Sequence, residues 1–244
     1  MLTHHYVSFE LVRLRRDPRF VVLTVAVPAL LYLMVSTAGN AAPSGARAGS
    51  GAGIMTGMAC YGVLMVTITN GVNIALDRSI GWMAQLRTTP LRAPQVLVGK
   101  AVSGLLLSLL SLIAIFLIGG LSQGVELSGV QWLEMGAIIW LGSLPFALLG
   151  MALGFLTSPA AGGPAVMAAV IGMSALGGLW IPVRLFPDTL QHISRALPTS
   201  RWVHLSQALL DGGASSLSDL LVLGGWTLGF ALLAGFAIRR DATR

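Results

Sequence analysis

Charge is what this 244-residue chain has least of: 10% of its residues are Asp, Glu, Lys or Arg, against 55% apolar, and its mean hydropathy is +0.81. A soluble domain carries roughly 25% charged residues, so a water-facing surface cannot be assembled from this composition, and an ordinary globular enzyme is excluded. Cysteine is nearly absent as well. Cys60 stands alone, which excludes an internal disulfide framework and leaves a metal or redox cluster without its usual ligands. A phosphate-binding loop is also missing. Gly99-Lys100 is followed by Ala101, and the upstream glycine of GxxxxGK[ST] falls on Pro94. No cofactor or metal is expected on the chain, and any ATP chemistry has to come from another one.

What the sequence does have is long apolar runs, free of charge except for Glu134 near the start of the fourth. Six cover residues 20–38, 54–76, 101–120, 132–156, 164–182 and 220–238, each close to the ~20 residues that cross a bilayer as a helix. The expectation is an all-α membrane protein forming a single transmembrane domain over residues 1–244, with six spanning helices. The first run is longer than the ~7 to 15 residues of a signal-peptide core, so it reads as a retained anchor. Alternating the connections places 11 basic residues on one side, from Arg13 through Arg78 and Lys100 to Arg244, and 4 on the other, Arg47, Arg184, Arg195 and Arg201. Lys and Arg accumulate on the cytoplasmic side. Both termini are therefore expected inside, in a multi-pass protein of the plasma (inner) membrane. The +6 net charge is then mostly topology and gives no support to a nucleic-acid partner.

Two connections and the N-terminal stretch carry structure of their own. After the second run, Ile80, Met83 and Leu86 recur at helical spacing beside Trp82, with Asp77, Arg78, Gln85 and Arg87 elsewhere on the turn and Thr88-Thr89-Pro90 ending the pattern. This is a short amphipathic helix. It reads either as an interfacial connector, with its arginines facing headgroups, or as a docking surface for a soluble partner. The N-terminal stretch 6–16 is similar, with Val7, Leu11 and Leu14 in register and Arg13, Arg15 and Arg16 around them, until Asp17-Pro18 breaks it before the first span. Anchor and partner contact both remain open for it. Between the fifth and sixth runs, 37 residues (183–219) are too apolar for a free loop, and Pro182, Pro187 and Pro198 bound pieces too short to cross. Interfacial or re-entrant helices packed on protein are expected there.

Several chemistries have little to stand on. Ion-coupled transport needs ionisable groups within the spans, and the central part of every run is uncharged. His192 and His204 are 12 apart without a carboxylate pattern suited to metal. Ser174, in the small-residue setting of the fifth run, could serve an intramembrane hydrolase, but no run contains a histidine to activate it. Gly150/Gly154 and Gly225/Gly229 lie inside runs at the spacing of close helix packing.

The order of these parts resembles the permease subunit of ABC-2-type exporters, and most of all the drug-efflux-like permeases of actinobacteria that include daunorubicin exporters. The likeness runs from about Tyr6 to Arg240. It rests on Arg16-Asp17-Pro18 with Pro28, and on Asp77-Arg78 with Gly81, Leu86-Arg87, Thr89-Pro90-Leu91 and Gly99-Lys100. It rests also on Leu179-Trp180-Ile181-Pro182 through Phe186-Pro187, Leu190, Ile193 and Leu197-Pro198. Asp77 stands where many members have Glu. The resemblance implies two permease chains, expected as a homodimer, with two copies of an ATP-binding subunit that holds ATP and Mg2+. It implies ATPase contact through Asp77, Arg78, Gly81, Trp82, Leu86, Arg87 and Pro90 and through the N-terminal helix with Arg13, Arg16 and Pro18. The cargo would be hydrophobic or amphipathic, of drug, lipid or glycolipid type, and would move outward. A six-span scaffold or intramembrane hydrolase is the competing reading.

Overall fold

In hydrocarbon every backbone donor and acceptor must find its partner within the protein, and an apolar run meets that demand by becoming a helix. The computed structural model describes residues 18–41, 51–79, 93–122, 124–210 and 216–242, which among themselves form helices and turns and no strand. The helices are α1 (Pro18–Ala41), α2 (Gly51–Ser79), α3 (Ala93–Ser122), α4 (Gly129–Leu141), α5 (Leu144–Leu156), α6 (Pro159–Leu176), α7 (Asp188–Ala196), α8 (Pro198–Ala208) and α9 (Leu217–Ala242), with one turn of 3-10 helix at Val183–Leu185. Five stretches are long and apolar enough to cross a membrane: Gly51–Arg78, Gly99–Leu121, Gly129–Leu156, Pro159–Leu176 and Leu217–Asp241. A shorter apolar stretch, Val25–Thr37, lies in α1.

The centre of the bundle is α2, which packs against α1, α3, α5 and α6 and touches α4 and α8. Its face carries Met55, Ala59, Cys60, Val63, Leu64, Ile68 and Ile74, all essentially without exposure. The approach of α2 to α5 is set by glycine. A Cβ on Gly71 would sit 2.0 Å from the Gly150 carbonyl oxygen, one on Gly150 2.7 Å from that of Ile68, and one on Gly154 2.4 Å from that of Gly71. Backbone therefore meets backbone. Such contact trades hydrophobic area for close van der Waals packing, the main attraction left between helices in lipid. Gly225 and Gly229, expected to do the same, face open space, with nothing within 4 Å of a Cβ. They lie on α9, whose Leu220, Leu221, Leu228, Leu232 and Phe236 are likewise exposed.

The run 132–156 departs from one continuous helix. It breaks between α4 and α5 at Gly142-Ser143, because Pro145 has no N–H to give the Leu141 carbonyl. The Ser143 hydroxyl donates instead to the Trp140 carbonyl at 2.6 Å. Into the break fits Trp202 of α8, fully buried, with its ring centroid 5.0 Å from that of Phe146 and its indole N–H donating to the Ile138 carbonyl at 3.3 Å. A Cβ on Gly142 would lie 2.4 Å from that indole. The fifth run is also corrected. Its helix spans Pro159–Leu176 rather than 164–182, since Ser158 caps its start, Pro159 suits a first turn, and Gly177-Gly178 ends it with Gly178 at φ +79°. Past that turn the proline-bounded pieces are short helices, as expected, and Trp202, Val203 and Leu205 of α8 are buried.

Gly150→Val should force α2 and α5 apart. Overpacking of this kind costs about 1–3 kcal/mol, read as a lower unfolding temperature in detergent, while Gly225→Ala should leave that temperature unchanged.

Candidate functional site

Few charges in the described residues lie among apolar neighbours, and those that do are paired at the two ends of the bundle. At one end stands the last full turn of α2. Asp77, with 1% of its side chain exposed, faces α3 and meets Lys100, 3% exposed, with Nζ to Oδ2 at 2.5 Å. The Lys100 carbonyl accepts from Asn70 Nδ2 at 2.8 Å, so two residues on one face of α2, seven apart, hold the same residue of α3. Gly99-Lys100 lies inside α3. It has no looped backbone with N–H groups free for a phosphate, and its ammonium is engaged with Asp77.

One residue on, Arg78 points to a different side of α2. Its Nη1 donates to the carbonyls of Gly154 (3.2 Å), Phe155 (2.9 Å) and Thr157 (3.3 Å), and its Nη2 to the carboxylate of Asp241 in the last turn of α9. The guanidinium also stands 5.6 Å over the Phe155 ring. The last carbonyls of a helix lack intrahelical donors and carry the negative end of its dipole, so a forked cation is the group that satisfies them. A single arginine thereby fastens the end of α2 to the ends of α5 and α9. Phe155 belongs to a small apolar cluster with Ile74, Met151 and Ala237, which joins the same three helices.

Among the residues expected to form a docking surface, Asp77 and Arg78 are thus brought together with partners inside the bundle. Pro18 is the first residue of α1. Gly81, Trp82, Leu86, Arg87 and Pro90, and Arg13 and Arg16, lie outside the described residues. Sequence reasoning missed Asp241, the lone acid after Arg239-Arg240, and missed that Asp77 and Lys100 pair. Opposite charges flanking one connection at the edges of two spans were the available signal.

At the opposite end a second cluster joins α8 to α9. Asp219, in the first turn of α9 and 1% exposed, accepts from Arg201 Nη1 at 2.9 Å and lies 2.6 Å from His204 Nδ1. An acid in the first turn also complements the helix dipole. Trp226 Nε1 donates to the Ala196 carbonyl at 2.9 Å, so the α7–α8 corner is fixed to α9 as well. His204 thus has a carboxylate partner, while the hydroxyl of Ser174 is buried with no hydrogen-bond partner among the described residues. His204 is oriented by Asp219 rather than by Ser174.

Among the described residues the structure is a helical bundle with spans long and apolar enough to cross a membrane, in which the buried charges Asp77, Lys100 and Asp219 are all paired. Residues 3–210 match the family model described as "ABC-2 type transporter", and the chain belongs to that family. A protein named "Putative transport permease YvfS" from Bacillus subtilis (strain 168) is 29% identical over 235 residues, covering 95% of each chain. The resemblance read from the sequence holds at the level of the family.

Arg78→Ala should leave Asp241 and three carbonyls without their donor. Hydrogen bonds to a charged group contribute about 1.5–3 kcal/mol, and partial exposure of the arginine puts the loss at the lower end. Arg78→Lys should recover only part of the stability, since one ammonium cannot replace the planar fork. Unfolding temperatures in detergent should rank native above Lys above Ala, and equal values for all three would remove the clamp.

Proposed function

We propose that the chain is the permease subunit of an ATP-driven exporter that moves a hydrophobic or amphipathic cargo outward, of drug, lipid or glycolipid type, using a separate ATP-binding subunit. Family membership over residues 3–210 carries this reading, and the sequence supports it by lacking a phosphate-binding loop of its own. In this reading two copies of the chain assemble with two ATP-binding subunits at the plasma membrane, with both termini cytoplasmic. The basic end of the bundle is then the cytoplasmic face.

Energy enters through the segment from Asp77 to Pro90 and the N-terminal helix. Gly81 allows close approach, Trp82 and Leu86 anchor, and Arg87 offers charge to a groove on the ATPase; Arg13 and Arg16 of the N-terminal stretch add further charge. These are the requirements of a short helix seated in a partner. Asp77 and Arg78 serve the same transfer from the bundle side. Their bonds reach α3, α5 and α9, so a displacement of the segment is passed to the ends of three other helices. Closure of the ATPase pair on ATP would push on this end and change the packing of the two bundles.

Affinity purification from native membranes should bring down an ATP-binding subunit in equal copy number. Arg87→Glu or Gly81→Trp should insert normally yet lose transport-coupled ATP hydrolysis. Normal coupling in both variants would remove the docking assignment. A reporter fused after Arg244 should be active in the cytoplasm, and activity confined to the exterior would reverse the orientation.

A further inference from the structure

We propose that the Asp77–Lys100 ion pair is a clasp: it fixes α2 to α3 near the ends that the connection between them joins, so that the two helices answer a push delivered there as one body. The proposal rests on the docking reading above for where the push comes from, and on geometry alone for the clasp.

The pair lies in the two helices that flank the segment, close to it on the α2 side and two turns into the helix on the α3 side. Asp77 is two residues before the end of α2 and Lys100 is within the first turns of α3, and their side chains are 1% and 3% exposed. Lys100 is the sole lysine of the sequence, against 14 arginines. An ammonium is a compact point charge on a flexible stem, suited to one carboxylate oxygen in a closed space, where a guanidinium would demand a bidentate plane. A buried ion pair contributes little net stability, because desolvation offsets the attraction, but its geometry can specify one register. That is the property a clasp needs. Apolar contacts between α2 and α3 would tolerate sliding, and just inside the pair the helices leave a small crevice beside Asn70, Ile74, Ala101 and Gly104. There the cross-helix bond is polar too, from Asn70 to the Lys100 carbonyl.

Asp77 and Arg78 are neighbours about 100° apart around α2. One holds α3 while the other holds α5 and α9. Asp77 and Lys100 are therefore positioning residues, which keep α2 and α3 from yielding separately and so direct a displacement of either into the bundle.

The test uses the full chain with its ATP-binding partner in lipid nanodiscs. Cys60 is replaced by Ser, and spin labels are placed at Leu76 of α2 and Leu110 of α3, both exposed positions. The clasp predicts one narrow distance distribution, unchanged between the nucleotide-free and the vanadate-trapped state. Asp77→Asn and Lys100→Met should broaden it or make it change on trapping. Asp77→Glu, which keeps the charge, should stay narrow, and so should the exchanged pair Asp77→Lys with Lys100→Asp, a readout that loss of folding alone would not restore. An unchanged narrow distribution in both charge-removing variants overturns the clasp, as does failure of both charge-keeping ones. The same labels on the permease without its partner decide the clasp separately: a native chain that retains the narrow distribution but binds no ATPase supports the clasp and defeats the docking reading.

Discussion

The structure depends on one constraint: a charge placed where water is scarce has to be paired. At the end of α2 two adjacent residues of opposite sign meet it in different directions, Asp77 through Lys100 and Arg78 through Asp241 and the last carbonyls of α5. Because α2 is also the helix against which most others pack, those two side chains tie the centre of the bundle to α3, α5 and α9. Breaking a buried pair from one side strands the other charge, a loss of about 3–5 kcal/mol, whereas an intact pair contributes little. The arrangement is therefore better understood as fixing geometry than as adding stability.

The rest of the molecule repeats that logic with other means. Midway along α2, glycines at 71, 150 and 154 bring backbones into contact, leaving no side chain between α2 and α5 to take up relative motion. At the far end, Trp202 fills the break between α4 and α5, and Arg201 with His204 closes on Asp219 of α9. Close backbone contact and a filled break resist local bending. In the proposed reading that stiffness matters, since a soft bundle would dissipate a push delivered at one end.

Much of the fold was legible in the sequence because a bilayer imposes simple rules: apolar run length gave helices, and Pro182, Pro187 and Pro198 bounded the short pieces that follow α6. Glycine was less legible. Gly150/Gly154 and Gly225/Gly229 have the same spacing, yet the first pair touches α2 and the second touches nothing, and no local feature separates them. The break at Gly142-Ser143 was hidden because Pro145 is a common residue in spans and its consequence depends on Trp202, 57 positions on. For the candidate site, Arg78 was read as facing headgroups or a partner by its place on an amphipathic pattern. Its actual acceptors are carbonyls and a carboxylate from 76 to 163 residues away, which no periodicity encodes.

The central claim is that energy enters from another chain through the segment after α2. Replacing Trp82 by a photoreactive p-benzoylphenylalanine and irradiating intact membranes tests it most directly. The account predicts a covalent adduct with the ATP-binding subunit. Adducts with lipid alone, in membranes whose ATP-driven transport is intact, would contradict it.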